Sequence, residues 1–170
     1  EIDKFRANID YERASYEIVK DLIDKGHTKI ASVAVRRDYD RTYEKQKNAG
    51  YAKAMEEMGL ETTELFVEDL TTEAIENAEK DIVDTLKEKE ITAVFTTFDT
   101  LAINVMNILL DNNIKTPTDI SVTGFGGTTL SEIYRPKLTT VKIPYYDIGA
   151  VSIRKILKSI TAVSYTHLRA

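Results

Sequence analysis

Cysteine is absent from the 170 residues, so no disulfide and no thiolate metal site can form, and a reducing compartment is permitted. Only two histidines occur, His27 and His167. His27 reads as part of a turn between a helix and a strand, and His167 lies in an irregular terminal run, so a Ser–His–Asp arrangement lacks its base. No H-E-x-x-H pair and no EF-hand loop is present, and no metal is expected. Basic residues are outnumbered, 23 Lys and Arg against 28 Asp and Glu, for a net charge of −5. That balance argues against a nucleic-acid surface, which leaves a basic footprint. No apolar run approaches the length of a membrane span, nothing resembles a signal peptide, and no phosphate-loop motif G-x-x-x-x-G-K-[ST] occurs. Cofactors, metals and membranes are therefore not called for.

The chain is 42% hydrophobic and 30% charged, which suits one soluble globular domain with a core. The stretch "YERASYEIVKDLIDKGH" repeats Ala14, Ile18, Leu22 and Ile23 at helical spacing and stops at Gly26. "KIASVAV" (29–35) is a short buried strand. A second helix over 44–58 carries Tyr51, Ala52, Met55 and Met58 on one side, and "ELFVE" (64–68) is a second strand. Thr71 or Thr72 caps a third helix running to about residue 89. "ITAVFTT" (91–97) is a third strand, and Asp99 is placed to cap the broad apolar helix after it. "DISVTGF" (119–125) and "LTTVKIP" (138–144) are further strands, and a final helix covers about 146–160. Strict alternation of helix and strand predicts an α/β fold with a parallel sheet and helices on both faces. Ligands bind such sheets at the carboxyl ends of the strands, which are residues 36–41, 69–71, 97–99 and 126–128.

The chemistry at those four places is that of binding. "GFGG" is not G-x-G-x-x-G and opens no helix, so it reads as a tight turn needing positive φ. Asp69 and Asp99 suit helix caps, or acceptors for sugar hydroxyls, better than acid catalysts. Arg36, Arg37, Arg41 and Lys47 are either ligand donors or solvated surface, and Phe98 could stack on the apolar face of a sugar.

"IDYERASYEIVKDLIDKGHTKIASV", "KNAGYAKAMEEMGL", "AVFTTFDTLAINVMNILLDNNIKTPTDISVTGFG" and "PKLTTVKIP" resemble, in order, the effector-binding region of LacI/GalR-type transcriptional regulators over about 8–157. The resemblance implies a periplasmic-binding-protein-like type I fold of two lobes. Residues 8–137 would be most of the C-terminal lobe, and 1–7 with 138–160 remnants of the N-terminal lobe. It implies a cytoplasmic homodimeric repressor that binds a sugar or sugar phosphate and reads DNA only through a helix-turn-helix absent from this chain. Carried over by position, the ligand-binding residues would be Arg36, Arg41, Lys47, Asp69, Thr97, Phe98, Asp99 and Gly126. Several depart from the family pattern. Lys47 stands where an Arg is common, Glu68–Asp69–Leu70 replaces G-D-aromatic, Phe98–Asp99 replaces N-D, and Gly126 replaces an Asp. "GFGG" and "PKLTTVKIPY" are most like the sucrose- and trehalose-type regulators of Gram-positive bacteria.

Two other readings share these features. One is an exported sugar receptor of the same fold. The other is a small hydrolase or transferase using Asp69 and Asp99. The terminal "AVSYTHLRA" breaks the preceding helical pattern, and 161–170 reads as a non-native tail.

Overall fold

The computed structural model describes residues 9–166, without the side chains of Ser159 and residues 161–166. The chain divides into two compact units.

The larger unit is Tyr11–Lys142. Its helices are α1 (Tyr11–Asp24), α2 (Thr42–Glu57), α3 (Thr72–Glu88), α4 (Asp99–Asp111) and the short α5 (Thr129–Ile133). Its strands are β1 (Ile30–Val35), β2 (Thr63–Val67), β3 (Ala93–Thr96), β4 (Ser121–Gly126) and β5 (Thr139–Lys142). All pair in parallel, in the order β2-β1-β3-β4-β5. A parallel sheet needs a crossover for each step, and α1–α4 supply layers that bury both faces. Every residue of β1 is accordingly buried.

Alternation along β1 sorts the core. Ala31, Val33 and Val35 join Ile82, Leu86, Leu101, Val105 and Leu109 of α3 and α4. Ile30, Ser32 and Ala34 point the other way, where α1 and α2 pack closely on each other. On that side α2 buries Glu44, Lys47, Asn48 and Gly50 along with Tyr51 and Met55, while Met58 is 48% exposed. The sequence pattern had placed Met58 on the inner face. The helix instead turns its polar N-terminal half inward, because that half ends over the strand mouths.

Tyr51 is fully buried and stacks on Phe95 at 6.3 Å. Its hydroxyl donates to the Ile30 or Thr63 carbonyl and accepts from the Thr63 N–H at 2.9 Å, tying α2 to β1 and β2. Burial pushes its phenol up to about 12. An unfolded tyrosine loses its proton near pH 10. Between those values the native state binds more protons than the unfolded state, so stability is full below about pH 10 and falls as pH rises towards 12. Tyr51→Phe is expected to flatten that alkaline slope in urea melts. At neutral pH it should cost about 1–3 kcal/mol, because a buried amide and carbonyls lose their partner.

The order of elements agrees with the sequence, with boundaries moved by a few residues. Thr71 does cap α3, accepting from the Ala74 N–H at 3.3 Å. Three readings are corrected. Phe98, with no side-chain capping bond, precedes α4, so Asp99 is not its cap. The stretch between β4 and β5, where the sequence pattern predicts no regular element, contains α5. And residues 138–142 do not leave with a second lobe: β5 pairs with β4, with Thr123 opposite Thr139 and Gly126 opposite Lys142, and Leu138 enters the core. Pairing there covers the edge that β4 would otherwise leave open. The division falls instead between Lys142 and Ile143.

The smaller unit contributes residues 9–10 and 143–166 to the described structure, with α6 (Tyr145–Thr166) its one regular element there. α6 runs past the point where the helical pattern was expected to break. The last four residues of the suspected tail, 167–170, lie outside the described residues.

Candidate functional site

The strand order reverses direction between β1 and β3: from β1 the chain moves outward to β2, then returns to the other side of β1. The crevice of a doubly wound sheet opens at such a point, beyond the carboxyl ends of the strands. Thr97 follows β3 here, and Lys47, in the N-terminal half of α2, bonds to its carbonyl.

Lys47 reaches down from α2. Its Nζ donates to Glu44 Oε1 at 2.7 Å and to the Thr97 carbonyl at 2.8 Å. Lys47 is 3% exposed and Glu44 wholly buried. Four rings surround the ammonium, with centroids at 4.1 Å (Phe98), 4.8 Å (Phe125), 5.2 Å (Tyr43) and 5.7 Å (Tyr11). Their negative faces replace part of the lost hydration. Burial still pushes the lysine pKa down, against the opposing pull of Glu44. Beside this cluster, Glu44 Oε2 and Thr97 Oγ1 are buried with no hydrogen-bond partner among the described residues. Buried polar atoms are rarely left this way.

The rim lies towards β2. Arg41 pairs with Asp38 at 2.8 Å and donates to the Tyr43 hydroxyl at 3.2 Å. Arg37 pairs with Asp69 at 3.0 Å. The Asp69 carboxylate also accepts from the Thr71 hydroxyl and N–H, and these bonds, with Arg37, hold it below its ordinary pKa. Arg36 lies over the Phe66 ring at 4.3 Å and is exposed.

On the β4 side the arrangement is structural. Asp99 is 1% exposed and accepts from the Thr128 N–H at 2.6 Å, from the Thr128 hydroxyl at 2.8 Å and from the Thr140 hydroxyl. Its two oxygens fasten the β4–β5 connection to the start of α4. Gly126 and Gly127 turn the chain there with φ of 137° and 67°. A Cβ on Gly127 would lie 2.7 Å from the Lys142 Cα, so the glycine is needed for close approach as well as for φ. The "GFGG" run, expected as a turn, is mostly strand: Gly124, Phe125 and Gly126 end β4, and only Gly127 lies beyond it.

Of the residues expected to bind a ligand, the fold brings Lys47, Thr97 and Phe98 together. Arg36, Arg41 and Asp69 form an outer rim, and Asp99 and Gly126 are engaged in the turn. Sequence reasoning passed over Glu44, Tyr11, Tyr43 and Phe125. The three-residue spacing of Glu44 and Lys47 on a helix was the available signal for the first. Nothing local marked the rings, which arrive from α1, α2 and β4. A separate cavity of about 160 Å³, lined by Leu22, His27, Pro117, Ser121 and Thr139 among others, touches none of these groups.

Comparison with known proteins places the chain. The model of the periplasmic binding protein-like domain matches residues 19–167. Catabolite control protein A of Priestia megaterium is 37% identical over 153 residues, covering 88% of this chain and 45% of that protein. The HTH-type transcriptional repressor PurR of Vibrio campbellii is 34% identical over 155 residues, covering 88% and 44%. Among solved structures, a LacI family transcriptional regulator from Silicibacter pomeroyi superposes with a TM-score of 0.78 at 28% identity, over 89% of this chain and 56% of that one. Transcription regulator CcpA of Lactococcus lactis gives 0.73 at 28%, over 91% and 56%. The chain spans about half the length of the relatives it matches. These relatives are regulators, which removes the hydrolase or transferase reading. No helix among the described residues is long and apolar enough to cross a membrane. With its parallel sheet and these relatives, the chain belongs to the periplasmic-binding-protein-like family of LacI/GalR-type transcriptional regulators, and is not an enzyme.

Proposed function

We propose that this chain is the effector-receiving part of a LacI/GalR-type regulator and binds a carbohydrate at the carboxyl edge of its sheet. The observation that carries the reading is the pair of buried, unpartnered atoms, Glu44 Oε2 and Thr97 Oγ1, beside the Lys47 ammonium and the Phe98 ring. Sugar hydroxyls supply the missing hydrogen bonds, and the aromatic faces receive the sugar's apolar face. Thr97 and Phe98 are the central contacts. Arg36, Arg41 and Asp69 contact a ligand large enough to reach the rim.

In this reading Tyr11–Lys142 is most of the C-terminal lobe, and 143–160 belongs to the N-terminal lobe. The regulator works in the cytoplasm as a homodimer and reaches DNA through a domain outside this sequence. Effector acts by binding one conformation more tightly than another, which is what shifts operator affinity.

The test is a thermal-shift and calorimetric screen of the chain against ribose, glucose, sucrose and trehalose. A ligand at a hundredfold excess over its Kd stabilises the native state by about 2.7 kcal/mol. Thr97→Val removes the unpartnered hydroxyl at nearly constant volume, so the fold should hold while the affinity of any hit falls about tenfold. A hit that ignores both Thr97→Val and Phe98→Ala would place binding elsewhere and end the proposal.

A further inference from the structure

The basic residues at the strand ends suggest attraction for an anion, but their pairing does not. We propose that Glu44 is a charge filter: by neutralising Lys47 inside the aromatic enclosure, it makes the site select an uncharged, hydroxyl-bearing ligand and reject the phosphate ester of the same sugar. The inference rests on the effector reading above and assigns Glu44 its role there.

Three observations support it. First, the one ammonium at the centre of the site is already compensated, by Glu44 Oε1 at 2.7 Å, with both side chains buried. The carboxylates of Asp38 and Asp99 act on the same ammonium from further off. Second, the rim cations Arg41 and Arg37 are matched by Asp38 and Asp69. Arg36, the cation left over, lies outward on Phe66.

Third, the atoms left to a ligand have the wrong sense for phosphate. Glu44 Oε2 is an acceptor when ionised, so its partner must donate. A phosphate dianion has no donor to offer and would meet a like charge where water is excluded. A sugar hydroxyl donates to Glu44 Oε2, and a neighbouring hydroxyl accepts from Lys47, whose third N–H remains after Glu44 and Thr97 take two. Thr97 Oγ1 serves in either sense. Placing a fixed carboxylate against the wrong partner is a usual route to discrimination.

Calorimetry on the 170-residue chain tests this with matched probes: glucose and glucose 6-phosphate, trehalose and trehalose 6-phosphate, and inorganic phosphate alone. The native chain should bind a neutral sugar about tenfold or more tighter than its ester, and inorganic phosphate not measurably, since like-charge placement is strongly penalised. Glu44→Gln keeps the shape and removes the charge. It should shift the sugar-to-ester ratio towards the ester by about tenfold or more and create binding of inorganic phosphate. Glu44→Gln/Lys47→Gln restores neutrality and should abolish that gain, and Glu44→Asp should keep the rejection.

An ester bound more tightly than its sugar by the native chain overturns the filter, as does a ratio unmoved by Glu44→Gln. In both cases a ligand sensitive to Thr97→Val leaves the effector site standing. Failure of every probe to bind overturns site and filter together. If Glu44→Gln alone does not fold, phosphate binding by either Glu44→Asp or the double variant still overturns the filter.

Discussion

Replacing Gly50 by alanine should destabilise the larger unit by about 3 kcal/mol or more, at the upper end for an overpacked site. Gly50 lies where α2 crosses α1. A Cβ there would sit 2.2 Å from the Glu12 carbonyl oxygen, 2.8 Å from Ser15 Cβ and 2.9 Å from the Tyr16 amide nitrogen. Two of those atoms are backbone, so no rotamer change relieves the clash and the helices must separate. Separation loosens Val19 and Leu22 of α1 and Tyr51 and Met55 of α2, all buried. A typical domain has only about 5–15 kcal/mol to lose. Urea denaturation followed by circular dichroism reads the effect as a lower midpoint. Gly149→Ala is the control. It lies within α6 with open space around its Cβ position, and it should raise helix stability by about 0.5–1 kcal/mol. An unmoved midpoint for Gly50→Ala would refute the close crossing of α1 and α2.

Lys47→Ala should cost about 3–5 kcal/mol, because it strands the Glu44 carboxylate in the interior. Glu44→Ala should cost a similar amount by stranding the ammonium. The replacement Glu44→Gln/Lys47→Met removes both charges at similar volume and should cost far less than the two losses summed. A double-mutant cycle in thermal melts checks this. Strictly additive losses would mean that Glu44 and Lys47 are not coupled. The same result governs binding experiments. Loss of ligand in Lys47→Ala alone would not separate a missing contact from a disturbed fold, which is why Thr97→Val is the better probe of the site.

How much of this was legible beforehand varies with the range of the interaction. The strands were legible because short runs such as Ile30–Val35 are apolar apart from Ser32, as suits a strand buried on both faces. The glycine turn after β4 and the Thr71 cap follow from backbone needs that a few neighbouring residues settle. The inward face of α2 was misread because its buried residues are polar in the first half. Apolar periodicity cannot report a lysine whose counter-charge is itself polar and whose aromatic surroundings come from α1, α2, β4 and the residue before α4.

Asp99 shows the same limit. A carboxylate at the start of a helix is most often a cap, and its true partners, Thr128 and Thr140, lie 29 and 41 residues away. β5, expected in the other lobe, pairs with β4 instead, since four exposed or half-buried residues carry no sign of which sheet they join.

The sequence by itself therefore determined the alternating α/β order, the parallel sheet, the family and the strand ends at which to look. Each depends on local periodicity or on a contiguous motif. Tertiary structure alone decided which rings surround Lys47, which glycine must stay bare and which strand closes the sheet. Those outcomes depend on distances between residues far apart in the chain, and no local pattern records them.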